Sequence, residues 1–271
     1  MKGSRPDLAS ILGILVASVA IVGGLLLEGG ALADIAQPTA AVIVLGGTIG
    51  AVMVNTPGAI LLGALKSLRT VFSERALSAN QLLEEIVIYA SRARRNGLVS
   101  LEADAEKIQD PFLRKAMNLA VDGTDIQELR RIMELEIELE HHHAEQIARV
   151  FESAGGYAPT IGIIGAVMGL IQVMKRLSDI EQVGHGIAIA FVATIYGVAV
   201  ANIVFLPIAN KIKARAQKEM AIREMMVEGV VGIVEGLNPK LIRSKLESFG
   251  KHDGTGKAQA TAAPASRAEA A

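Results

Sequence analysis

Residues 155–173 read GGYAPTIGIIGAVMGLIQV, a run with five glycines, one proline and no charged side chain. Its apolar part, Ala158–Met174, approaches the roughly 20 helical residues that cross a bilayer core. Three further segments lack Asp, Glu, Lys, Arg and His: Leu8–Leu27, Ile35–Leu65 and Gly186–Asn210. Four transmembrane helices follow. The composition agrees, because 51% hydrophobic residues and a mean hydropathy of +0.40 are rare in a soluble domain that is 20% charged. The first apolar run exceeds the roughly 7–15 residues of a signal-peptide core, so it reads as a retained span.

Lysine and arginine near the span ends set the orientation. Lys2 and Arg5 precede the first span, Lys66, Arg69 and Arg75 follow the second, and Lys211, Lys213, Arg215 and Lys218 follow the fourth. The turn LEGGALADIAQ between spans one and two carries only acids. Both termini and the middle loop are therefore expected in the cytoplasm, with Lys175 and Arg176 the one discordant pair. The organisation is then a first helix pair in 1–65, a helical cytoplasmic insert in 66–157, a second pair in 158–210, a C-terminal helix in 211–249 and a disordered tail in 250–271. Within the insert, Leu82, Ile86, Tyr89 or Ala90, and Ala93, and then Ile132, Leu135 and Leu139, recur at helical spacing. The tail is small, polar and low in complexity.

A net charge of −1 points to no nucleic-acid partner, and the absence of cysteine excludes disulfides and thiolate sites. His141, His142 and His143 stand together, but consecutive helical residues point in different directions and a zinc site needs three or four converging ligands. They read as a solvated face. No nucleophile, zinc-protease or phosphate-loop motif occurs, so neither an enzyme nor a cofactor is expected.

The spans carry small faces. Gly46 with Gly50 and Gly165 with Gly169 have GxxxG spacing, extended by Gly162, and such faces let helices pack closely within a chain or between copies. Ion passage through hydrocarbon normally requires an ionisable group, which these spans lack. Either the chain moves no ions or another polypeptide lends the carboxylate. Thr194 either lines a path or bonds back to its own helix. Pro159 reads as a helix start, and Pro207, inside an apolar run, as a kink.

Taken together, two spans, a helical insert, and two spans beginning APTIGIIGAVMGL and continuing AFVATIYGVAVANIVFLPIANKI resemble the MotA/PomA proteins of the flagellar stator, within the superfamily that includes ExbB and TolQ. The resemblance covers Leu8 to Asn238. It implies a bacterial inner-membrane, multi-pass protein, five copies of which surround two copies of a MotB-type partner. That partner has one span with an ion-binding aspartate and an outer domain that grips peptidoglycan. Ion flow would turn the ring, and the insert would push on the rotor protein FliG. The resemblance further implies that Arg94, Arg95 and Glu102 contact the rotor, that Pro159 and Pro207 couple ion passage to the insert, and that Thr194 lies beside the ion path.

Sodium-type members tend to carry threonine where this chain has Ala166 and Ala193. Fewer hydroxyls favour a proton over sodium as the coupling ion. Two other readings stand beside this one: an ExbB/TolQ-type energiser, which usually has three spans, and a membrane scaffold that conducts nothing.

Overall fold

The computed structural model describes residues 5–71, 73–74, 79–175 and 177–251. Lys2, Arg75, Arg176 and nearly all of the expected disordered tail, from residue 252 on, lie outside the described residues. Apart from a two-residue antiparallel pairing of Arg5–Pro6 with Ser73–Glu74, every regular element is helical. Four helices are long and apolar enough to cross a membrane, in Leu8–Leu27, Leu32–Asn55, Ile126–Lys175 and Gly186–Val234. The chain is an all-α membrane protein. It divides into two units, one of Met1–Leu77 with Glu136–Met220 and one of Ser78–Leu135 with Ala221–Ala271.

In the first unit, helix Leu8–Leu27 starts at Asp7, whose carboxylate accepts from the Ser10 backbone N–H at 3.2 Å. None of its residues is buried within the chain. The second span departs from the expected Ile35–Leu65. It runs through Pro38–Ala41, a π segment Val42–Gly46 and Gly47–Asn55, then stops. Pro57 disfavours helical backbone at the residue before it, so Thr56 is extended (φ −130°, ψ 131°) and Gly58–Val71 forms a separate helix. Val52, Ala64, Val71, Phe151, Ile208 and Ile212 pack together as the apolar core at this end of the unit.

The third span is the last part of a 50-residue helix, Ile126–Lys175. Pro159 lies inside that helix rather than at its start. Proline costs one backbone hydrogen bond and crowds the carbonyl four residues earlier, here that of Gly155, where no side chain adds to the congestion. At Pro207 the expected kink is realised as a π segment, Ala201–Phe205, immediately before helix Leu206–Val234. A wider turn there accommodates the ring and the missing donor.

The second unit packs Ile86, Leu101, Leu113, Met117, Leu129, Met133, Met225, Ile242 and Leu246 with under 2% exposure each. Fully burying such a side chain contributes about 1.5–3 kcal/mol, so this core suffices to hold its helices. The buried stripe of the acidic helix is Leu129, Met133 and Ile137, while Leu135 and Leu139 are exposed. Two apolar registers overlap in that stretch, and packing selects the one not read from the sequence. The expected helix over 211–249 is two helices, Leu206–Val234 and Pro239–Lys251. Gly236, at φ +69°, closes the first, and the Asn238 side chain accepts from Lys240 N at 3.0 Å to open the second.

Candidate functional site

The glycine face of the third span meets the fourth. A β-carbon at Gly162 would lie 2.9 Å from the Ala193 carbonyl oxygen and 3.4 Å from the Cα atoms of Thr194 and Gly197. At Gly165 it would stand 2.8 Å from Ala193 Cβ, and at Gly169 2.9 Å from both Ala190 N and the Gly186 carbonyl oxygen. Backbones this close leave no room for side chains between them. Ala193 is fully buried and Ala190 nearly so.

Thr194 sits half-buried at this seam beside Gly162, and its hydroxyl donates to the Ala190 carbonyl at 3.3 Å. It thus bonds back along its own helix while standing at the edge of the wall. Ala166, one turn beyond Gly162 on the same helix, is also half-buried and contributes only a methyl group. The four apolar segments contribute no carboxylate, so this wall can bound an ion path but cannot supply the charged group that binds the ion.

Each of the two prolines is bracketed by glycine or π geometry. Gly197 of the fourth span stands against Pro159: a β-carbon there would come within 2.5 Å of the Ala158 carbonyl oxygen and 3.1 Å of Pro159 Cα. Gly155, one turn before Pro159, lies under Leu206, next to Pro207, with a would-be β-carbon 2.6 Å from Leu206 Cδ2. The turns around Pro159 and Pro207 therefore touch through residues beside them.

Gly46 and Gly50 have no atom of another element within 4 Å of a β-carbon position among the described residues, so neither makes a close approach there. The second-span glycine that makes a close approach is Gly47, 2.9 Å from Ile161 Cγ2. Small-residue spacing identified a glycine-rich turn but could not choose which member faces inward.

Several functional contacts carried no sequence signal. Tyr196 donates to the Ile35 carbonyl at 2.5 Å and accepts from Gln37 N at 3.4 Å, joining the fourth span to the start of the second. Thr48 is 1% exposed and its hydroxyl has no partner among the described residues. Asp7, besides capping the first helix, binds both Lys211 and Arg215, the latter at 3.1 Å, and Lys211 also bonds the Ser10 hydroxyl. Its charge partners lie about 200 positions away, beyond any local reading.

In the second unit, Arg94 and Arg95 end helix Ala79–Asn96, where cations favour the C-terminal dipole. Gly97 at φ +83° turns the chain into Leu98–Leu101 and the short helix Glu102–Ala105, pinned by fully buried Leu101 and by Ala105. Arg94, Arg95 and Glu102 are all exposed, and no ion pair is recorded for them among the described residues. The ion pair of this corner is Arg92 with Asp104. At the histidines, His141 Nε2 lies 3.6 Å from Glu145 and His142 Nε2 3.0 Å from Gln146 Nε2. No group of three metal-ligating side chains occurs among the described residues.

The description "MotA/TolQ/ExbB proton channel family" matches residues 104–225, and "Motility protein A N-terminal" matches residues 11–97. The chain is 37% identical over 241 residues to Motility protein A of Bacillus subtilis, covering 89% of each protein. Its structure resembles that of C. jejuni MotAB with a TM-score of 0.86 at 32% identity, covering 90% of this chain and 95% of that one. The flagellar MotAB stator complex from Bacillus subtilis gives 0.84 at 37% identity, covering 89% and 95%. A wall without acids, long apolar helices and this breadth of similarity place the chain in the motility protein A group of the MotA/TolQ/ExbB proton channel family.

Proposed function

We propose that this chain is a stator subunit of the bacterial flagellar motor, which forms an ion channel with a MotB-type partner and couples ion flow to rotor torque. The observation that carries the reading is the seam of Gly162, Gly165 and Gly169 on Ala190, Ala193 and Gly197: a close-packed wall whose spans contain no carboxylate. A single-span partner supplies the ion-binding aspartate. Five copies of this chain surround two of that partner, their exposed spans facing lipid and one another. The chain lies in the inner membrane as a multi-pass protein with both termini in the cytoplasm, as the lysine and arginine distribution supports.

Arg94, Arg95 and Glu102 act as the rotor-facing charges toward FliG, which their exposure supports. Pro159 and Pro207 act as the joints between the ion path and the cytoplasmic unit. A proton is the coupling ion, because Ala166 and Ala193 offer no oxygen where sodium would need several ligands.

Deletion in a strain with no second stator set tests the function: the flagella should assemble and not rotate, and unaltered swimming would overturn the motor reading. Co-purification of a single-span, peptidoglycan-binding protein carrying an intramembrane aspartate should accompany it. Swimming speed at fixed pH should be insensitive to sodium, and strict sodium dependence would overturn the choice of ion.

A further inference from the structure

A cleft of about 260 Å³ opens between the first span and the π segment of the fourth, lined by Ser10, Gly13 and Ala17 on one side and Ile203, Val204 and Lys211 on the other. Its polarity is graded. Ser10 and the Lys211 ammonium lie at one end, and the walls toward Ala17 are apolar apart from Asn202, whose amide donates to the Val198 carbonyl of its own helix at 2.8 Å. We infer that this cleft is a binding site for an anionic phospholipid, with one acyl chain between the first and fourth spans and the headgroup phosphate at Lys211.

Size argues for a chain rather than a protein segment. Ser10 to Ala17 spans about 10 Å at 1.5 Å per residue, so the volume corresponds to a slot narrower than a helix, which is about 10–12 Å across with its side chains. Gly13 makes the slot: no atom lies within 4 Å of a β-carbon position there. Charge argues for an anionic headgroup. From Lys211 to Lys218 the helix carries four cations and no acid. Asp7 pairs with Lys211 and Arg215 and Glu152 with Lys213, which leaves positive charge in excess, and basic pockets between membrane helices on the cytoplasmic side accept anionic headgroups. Lys211 gives two of its three donors to Asp7 and Ser10, and the third serves a phosphate oxygen. The site rests on the proposed orientation, which sets Lys211 at the cytoplasmic interface.

The purified full chain in its partner complex, exchanged into detergent with equal phosphatidylglycerol and phosphatidylcholine of the same acyl chains, would be read by native mass spectrometry for retained lipid. Phosphatidylglycerol should be retained about fivefold over phosphatidylcholine, the weight of one lysine near a membrane surface. Lys211→Gln should abolish that preference while leaving chain occupancy. Gly13→Leu, whose β-carbon meets no protein atom and whose remaining side chain enters the slot, should remove both lipids, whereas Gly24→Leu, on the same helix outside the cleft, should change neither. Equal retention of the two lipids by the wild type, or undiminished retention by Gly13→Leu, would overturn the inference, as would an inter-subunit cross-link from Gly13→Cys that shows a second copy covering the cleft. Gly13→Leu decides the matter alone if Lys211→Gln does not accumulate. Thiol labelling from either side of the membrane reports the orientation separately, so a lipid site on a reversed chain and a correctly oriented chain without a lipid site give different results.

Discussion

Gly197 carries its backbone directly against the turn that holds Pro159: a β-carbon at Gly197 would sit 2.5 Å from the Ala158 carbonyl oxygen. That oxygen belongs to a helix backbone and cannot swing aside as a side chain would. Gly197→Ala should therefore spread the third and fourth spans at an overpacking cost of about 1–3 kcal/mol, reducing the yield of assembled complex and abolishing swimming. Gly46→Ala, which meets nothing within the chain, should leave the monomer fold intact. Gel filtration of the solubilised complex with a swimming assay checks both. A Gly197→Ala complex of normal yield and speed would show that the two helices do not stand this close.

Asp7 holds the first span to the start of the C-terminal helix through Lys211 and Arg215, and its side chain is only 11% exposed. Removing one partner from a buried charge cluster is strongly destabilising, by about 3–5 kcal/mol, because the remaining charges lose their compensation. Asp7→Ala should lower membrane accumulation of the chain by more than tenfold. Asp7→Glu should restore most of it. Quantitative immunoblotting of membranes checks both, and wild-type levels of Asp7→Ala would deny the cluster its role.

At the corner after helix Ala79–Asn96, Arg92 is paired with Asp104, whereas Arg94 and Glu102 make no ion pair among the described residues. Water screens an exposed ion pair such as this one, so Arg92→Ala should barely alter stability or torque. Arg94→Glu and Glu102→Lys should cut torque several-fold at unchanged complex yield, because only their exposed charges are available to a partner. Tethered-cell rotation against load measures this. Loss of the complex in the reversed variants would contradict a rotor-facing role.

Glu228 bonds Arg130 and Lys245 in the second unit, beyond the apolar part of its helix. The Arg130 guanidinium, against the opposing effect of burial and with Lys245 assisting, holds its carboxyl below the ordinary carboxylate range. A lowered folded-state pKa means that the unfolded chain binds the proton more readily. The contribution to stability is present above the unfolded value of about 4.5 and is lost as pH falls through the folded one. Glu228→Gln should cost about 1–3 kcal/mol at neutral pH and flatten the acid dependence of hydrogen exchange in 221–234. An unchanged acid profile would remove Glu228 from the account.

The number of spans and the helical class were legible because a helix crossing lipid must satisfy its backbone internally and present apolar side chains throughout, a pattern written locally in composition. The absence of carboxylates from the spans was legible for the same reason, while the partner that would lend one followed from the family resemblance and not from composition. Where each helix breaks was less so. The apolar composition carries the second span through Pro57 to Leu65, whereas the helix stops before Thr56; Pro159, by contrast, lies within a helix that neighbouring packing sustains, so proline alone does not decide where a helix ends. Which glycine faces which wall, Gly47 rather than Gly46 or Gly50, depended on the rotation of one helix against another. The Asp7, Lys211 and Arg215 cluster, the meeting of Tyr196 with Ile35, and the buried stripe of Leu129, Met133 and Ile137 were likewise decided only in three dimensions. Local periodicity specifies that a helix has an inside, but the identity of the surface it meets is a long-range fact, set by which backbones approach closely enough to exclude all else.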